Sequence, residues 1–199
     1  MKRFSDEEIS NMYSYLFSHA YPDTKGVYGF AMHRAGFFVK WIIANVKPGS
    51  TILEVGCGRG QLIRWLQAKG YEVEGTEVAD WLMKPGGDLY GLPVKKMFFS
   101  ELNQIPENHY DVVLSNDVIE HLQFDEEVID GMMNLARISK GPVLISTGGT
   151  RHGWQPVIKP SNLHFVMHPK EWWKEVYERY CIIDQEFESG SYFIFGRKK

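Results

Sequence analysis

The amino-acid sequence predicts an α/β fold, a three-layer sandwich built on a mostly parallel sheet. Three observations carry this prediction. Short apolar runs alternate with segments of helical periodicity along most of the chain. The run at 51–55 enters Gly56-Cys57-Gly58-Arg59-Gly60 and then a helical pattern, the strand, glycine turn and helix order of parallel α/β proteins. Two further runs, 181–187 and 191–196, meet at Ser189-Gly190 and read as a closing antiparallel hairpin.

A chain of 199 residues suits one domain with a substantial core. The net charge of −3 gives no general attraction to phosphate backbones, which argues against a nucleic-acid partner. The basic end, Arg197-Lys198-Lys199, reads as a solvated tail. Cys57 and Cys181 have no framework spacing, which implies reduced thiols and a cytoplasmic setting. No run approaches the roughly 18 apolar residues of a membrane span. No signal-peptide apolar region opens the sequence.

Ser5 with Glu8 three residues on reads as a capping box. Ile9, Met12, Tyr13, Leu16, Phe17 and Ala20 then recur at helical spacing, giving a first helix with one apolar face. Tyr21-Pro22-Asp23 ends it. A second helix is expected over 30–46, with Phe37, Phe38, Trp41 and Ile42 on its buried side. Lys47-Pro48-Gly49-Ser50 turns the chain into the first strand.

In the glycine turn, glycines permit positive φ and let a ligand approach the backbone. A dinucleotide fingerprint counted from Gly56 needs a third glycine at 61, where the chain has Gln61. The sequence instead reads E-x-G-x-G-x-G from Glu54 to Gly60. Residues 71–76 alternate as a second strand ending in Glu77, which lies 21 residues after Gly56. An acid at that position is placed to accept hydrogen bonds from ribose hydroxyls. A short helix follows over 79–84, then a glycine-rich loop and a third strand over 93–99 leading to Ser100-Glu101-Leu102. The apolar fourth strand, 110–115, suits a buried parallel position and ends in Asn116-Asp117-Val118-Ile119-Glu120-His121-Leu122. A helix over 124–139 and a fifth strand over 143–147 come next. The loop 148–162, with Arg151, His152 and Trp154, lies where parallel sheets carry specificity and reads as the acceptor-binding region. Pro169 fits the first turn of a last helix reaching to about 180.

The Glu54–Gly60 pattern resembles motif I of the class I S-adenosylmethionine-dependent methyltransferases, and Asn116–Leu122 resembles the fourth motif of the small-molecule members, including those of ubiquinone biosynthesis. The resemblance spans about residues 30–199, with the first helix as an addition that can lie over the pocket mouth. It implies a Rossmann-like, seven-stranded sheet in the order 3-2-1-4-5-7-6 with strand 7 antiparallel. It implies S-adenosylmethionine as cofactor, with Glu54, Gly56, Cys57, Gly58 and Gly60 around the methionine part and Glu77 with Val78 at the ribose. Glu101, with the Leu102 N–H, would meet the adenine, although the family more often has Asp there. Asn116, Asp117 and Val118 would flank the methionine and sulfonium. The stretch His164 to Trp173, H-x-x-x-x-P-x-E-W-W, is similar to methyltransferases associated with polysaccharide and sugar modification.

The function implied is methyl transfer to a small-molecule acceptor. For a hydroxyl acceptor a base is needed, and His121, His152 and His164 are the candidates because imidazole titrates near about 6.5. No metal is expected: His168 is followed at once by Pro169, so His164 and His168 do not share a helix, and no carboxylate or cysteine completes a set. Three alternatives stay open: an NAD(P)-dependent oxidoreductase of the same fold, a methyltransferase acting on RNA or protein, and a non-catalytic cofactor-binding partner module. The acceptor and the oligomeric state are not written in the sequence.

Overall fold

The computed structural model describes residues 3–20, 27–150, 157–159 and 162–199. Helix α1, Asp6–Tyr15, begins with the expected capping box between Ser5 and Glu8 and runs on through a π-turn at Leu16–Ala20. Helix α2, Val27–Asn45, delivers the chain to β1, Thr51–Val55. Then come α3, Gln61–Gln67, β2, Glu72–Glu77, α4, Asp80–Met83, and β3, Val94–Lys96. A 3₁₀ turn at Phe99–Gln104 precedes β4, Val112–Asn116, and a second one at Ile119–His121 follows it. Helix α5, Asp125–Ile138, leads to β5, Pro142–Thr147. The remaining elements are β6, Val157–Lys159, β7, Asn162–His164, α6, Lys170–Glu178, β8, Cys181–Glu188, and β9, Tyr192–Lys198.

Seven strands form one sheet in the order β3-β2-β1-β4-β5-β9-β8, while β6 and β7 pair separately. Counted without that separate pair, this is the expected 3-2-1-4-5-7-6 order. β1 through β5 are parallel where they pair, and β9 runs antiparallel to both β5 and β8. The period of two along β1 splits the core. Leu53 and Val55 pack with Val113, Met132 and Trp173 on the α5–α6 face. Ile52 packs with Phe38, Ile42, Leu62 and Phe195 on the α2–α3 face.

The parallel strands end together at one edge, and the N-terminal segment straps across it. Ser10 Oγ donates to the Val78 carbonyl at 2.7 Å beside the end of β2. At the far side, the Phe4 N–H donates to Gln123 Oε1 at 2.6 Å and Gln123 Nε2 donates to the Phe4 carbonyl at 2.9 Å. The first helix therefore bridges the ends of β2 and β4.

Two expectations change. The third strand stops at Lys96 rather than Phe99, because Glu101 Oε2 accepts the Phe98 N–H at 2.8 Å and curls the chain into its 3₁₀ turn. The loop expected over 148–162 contains two short strands, in which Val157 pairs with His164 and Ile158 with Leu163. Strands of three residues leave little period to read. Among the described residues, no helix is long and apolar enough to cross a membrane.

Candidate functional site

A cavity of about 580 Å³ opens at the carboxyl ends of β1, β2 and β4, beneath α1. Its floor is the glycine turn. Gly56 has φ of 74°, and a Cβ there would lie 2.6 Å from the Val118 side chain, so only glycine fits between β1 and the turn after β4. Gly60, with φ of 71°, caps the start of α3 behind the cavity, and a Cβ on it would meet Leu89 and Leu92 at 2.8 Å.

Two buried carboxylates stand side by side at this floor. Glu77, the last residue of β2, accepts the Gly58 N–H at 2.8 Å, the Val78 N–H at 2.8 Å and the Ala79 N–H at 3.0 Å. These bonds fix the glycine turn to the neighbouring strand. Burial raises the Glu77 pKa, with the three N–H groups working against it. Glu54 lies on the α2–α3 face of β1 and is 3% exposed. Burial first, then the charge of Glu77, holds its carboxyl well above the ordinary range, against one bond from the Ile63 N–H. Its Oε2 is buried and has no hydrogen-bond partner among the described residues. An acceptor left bare beside a cavity points to a cationic group on a ligand. Burial and the two neighbouring acids also push the Cys57 thiol up, so it is no thiolate nucleophile.

β4 supplies the opposite wall. Asp117 sits at φ of 53°, a left-handed conformation that Asp tolerates. Its N–H donates to Ser146 Oγ at 3.0 Å, and the Ser146 hydroxyl lies 2.9 Å from both Asn116 Oδ1 and Asp117 Oδ1. From α2, Arg34 Nε pairs with Asp117 Oδ2 at 2.5 Å.

Beyond Asp117, a polar group closes the end of the cavity. Glu120 is fully buried; its Oε1 accepts the Gly148 N–H at 2.7 Å, and its Oε2 has no hydrogen-bond partner among the described residues. Burial, and then the charge of Asp117, lifts its carboxyl to about 8. His121 Nδ1 lies 2.8 Å from the Leu163 carbonyl. A carbonyl can only accept, so Nδ1 carries the proton and Nε2 the lone pair. Burial lowers the His121 pKa, opposed by the Leu163 carbonyl, by the charge of Asp117 and by the Asp117 backbone carbonyl. His164 Nε2 stands 3.8 Å from Glu120 Oε1, and the rings of His121 and His164 are 4.7 Å apart.

Of the residues singled out from the sequence, Glu54, Gly56, Cys57, Gly58, Glu77, Val78, Asn116, Asp117, Val118, His121 and His164 line this one cavity. Three do not. Gly60 caps α3. Glu101 is turned back onto the Phe98 N–H, and Leu102 is a core residue whose carbonyl accepts from Arg137. Met97, Phe98 and Phe99 line the cavity in their place. His152 lies outside the described residues, as do Arg151 and Trp154. His168, far from pairing with His164, binds Asp125 Oδ1 at 2.8 Å and stacks on Trp172. The expectation that no carboxylate stands with His164 is overturned, since Glu120 and His121 join it. Glu120 and Arg34 were not singled out as site residues in the sequence. Tyr13, Leu16 and Phe17 of the strap also line the cavity, and their helical apolar spacing was the available signal.

Residues 30–185 match the family model described as a methyltransferase domain. The chain belongs to this methyltransferase family. No curated protein sequence matches it. Solved structures do. The Burkholderia thailandensis 1,6-didemethyltoxoflavin-N1-methyltransferase, with bound 1,6-didemethyltoxoflavin and S-adenosylhomocysteine, has 16% identity and a TM-score of 0.71, with 100% of this chain and 92% of that one covered. The magnesium protoporphyrin IX methyltransferase of Synechocystis with bound S-adenosylmethionine has 17% identity and a TM-score of 0.65, both chains covered in full, 100% each. A Pyrococcus horikoshii protein has 16% identity and a TM-score of 0.69, with 84% and 91% covered. At these identities they establish the methyltransferase fold.

Proposed function

We propose that the protein transfers the methyl group of S-adenosylmethionine to a small-molecule acceptor. We further infer one catalytic domain acting in the cytoplasm, with the first helix as its cover and neither nucleic acid nor membrane as partner. The bare Glu54 Oε2 at the floor of a glycine-lined cavity is the observation that carries this reading. S-Adenosylmethionine has an ammonium to meet it, whereas a dinucleotide offers phosphates, which two buried acids at the floor would repel.

When bound, the cofactor supplies an electrophilic methyl: the acceptor atom bonds to its carbon, the carbon–sulfur electron pair stays on sulfur, and the acceptor releases a proton. The chain supplies position and exclusion of water. Glu54 orients the ammonium. Glu77, held by three backbone N–H groups, keeps the carboxylate lone-pair capacity that ribose hydroxyls can use. Phe98 and Phe99 give the adenine an apolar wall, and the role expected of Glu101 and Leu102 passes to this segment. Tyr13, Leu16 and Phe17 cover the reacting end against water. Glu120, His121 and His164 form the polar end at which an acceptor hydroxyl is received and loses its proton.

Two experiments test the reading. Calorimetric titration should show S-adenosylmethionine binding and no binding of NADH or NADPH. Methyl-labelled cofactor, incubated with protein, RNA and small-metabolite fractions, should pass its label to the small-metabolite fraction. Label in RNA or protein, or a preference for a nicotinamide cofactor, contradicts it.

A further inference from the structure

Glu120, His121 and His164 come from two separate elements, the turn after β4 and the end of β7, yet meet at one point. One ring nitrogen from each histidine and one carboxylate oxygen lie within 4.8 Å of one another. Two of the three ligands are held from behind. The Leu163 carbonyl fixes the His121 tautomer with the lone pair on Nε2. The Gly148 N–H holds Glu120 Oε1, leaving Oε2 buried and without a hydrogen-bond partner among the described residues. A side chain at 148 would crowd the group, since a Cβ there lies 3.1 Å from both Glu120 Oε1 and His164 Cε1. A ring N–H tied to a carbonyl and a carboxylate held by a backbone N–H are the kind of supporting contacts that orient metal ligands. The local charge also suits a cation, because Glu120 and the nearby Asp117 are both acids and, among the described residues, Arg34 forms an ion pair with Asp117 and none with Glu120.

We propose that Glu120, His121 and His164 bind one divalent first-row transition ion, of the Zn²⁺ or Mn²⁺ kind, at the acceptor end of the cavity. Two imidazoles and one carboxylate leave positions open for water or substrate, as in catalytic rather than structural sites. The substrate class follows: an acceptor hydroxyl entering an open position ionises near neutral pH, gives its proton to solvent and becomes the nucleophile. No side-chain base is then required, and the two histidines serve as ligands. The purpose of the site rests on the methyltransferase reading; its existence does not.

The test uses the full-length protein stripped with a chelator and titrated separately with Zn²⁺, Mn²⁺ and Mg²⁺, with Co²⁺ as a spectroscopic probe. The expected result is one Zn²⁺ or Mn²⁺ per chain at micromolar or lower concentration, and visible Co²⁺ bands of a nitrogen- and oxygen-ligated ion. His164→Gln and His121→Gln should each weaken binding at least tenfold, with circular dichroism unchanged. His168→Ala, which alters a histidine outside the cluster, should leave it intact. Absence of binding at millimolar ion, or binding insensitive to His164→Gln and lost in His168→Ala, overturns the proposal. S-Adenosylmethionine affinity measured on the same protein separates the two readings. Cofactor binding without metal binding sinks only the metal site, and metal binding without cofactor binding keeps the site while sinking the methyltransferase reading.

Discussion

The Glu54→Gln variant should move stability and cofactor affinity in opposite directions. In the free protein Glu54 is a buried carboxylate with a bare Oε2, its pKa raised by burial and by Glu77. The amide keeps Oε1 as an acceptor for the Ile63 N–H and removes the charge. A buried unpaired charge costs more than a neutral amide in the same place, so above the ordinary carboxylate range the variant should be more stable by about 1 kcal/mol or more. For a chain of this size that is about 2–4 °C in Tm per kcal/mol. The sign with pH is fixed by linkage. A carboxyl whose folded pKa lies above its unfolded value contributes fully below the unfolded pKa, with an ordinary value of 4.5, and loses that contribution as pH rises toward the folded pKa. The advantage of the variant should therefore vanish near pH 4.5 and grow as pH rises above it. Bound cofactor reverses the order. A hydrogen bond between charged partners is worth about 1.5–3 kcal/mol, so the variant should bind S-adenosylmethionine about 10- to 150-fold more weakly. Thermal melts across pH, with and without cofactor, and calorimetry read both effects. A variant that melts lower at pH 8 and binds cofactor as the natural protein does would refute the reasoning.

Two further perturbations follow from the same site. Gly56→Ala places a Cβ 2.6 Å from Val118 in a left-handed backbone, so it should cost about 2 kcal/mol or more and abolish measurable cofactor binding. Adding Val118→Ala should return part of the stability, read by denaturant melts, while the backbone strain remains. A double-mutant cycle on Arg34→Met and Asp117→Asn should give a coupling of about 1–3 kcal/mol in stability, because either single change strands a largely buried charge. Additive effects would show that the pair contributes nothing.

The sheet was legible because its signals are local. Four β-strands of the parallel half end in a glycine, an acid or an asparagine that the pattern of apolar runs brackets, and the hairpin 181–196 carries its own turn. Glu54, Glu77 and the 116–121 segment were legible as a cofactor set because strand ends in a parallel sheet converge on one edge. Their spacing in sequence thus becomes proximity in space. Glu101 misled because its spacing suits a strand-end acid, yet a carboxylate three residues past a backbone N–H can equally bond back to it and close a turn, as it does with Phe98. The meeting of His164 with Glu120 and His121 could not be read at all. It depends on β6 and β7, whose three-residue strands carry almost no periodic signal, and 42 residues separate His121 from the Leu163 carbonyl that holds it. Arg34 was hidden for a similar reason: a cation on a mostly apolar helix gives no sign of a site until its partner across the cavity is known.

The central claim is that the glycine-floored cavity holds an adenosyl sulfonium through Glu54 and Glu77. A crystal structure with S-adenosylhomocysteine tests it directly. The ligand should lie in that cavity, its ammonium on Glu54 Oε2, its ribose hydroxyls on Glu77 and its adenine against Phe98 and Phe99. A ligand found elsewhere, or a cavity that stays closed at millimolar ligand with Glu54 and Glu77 touching only protein, would contradict it.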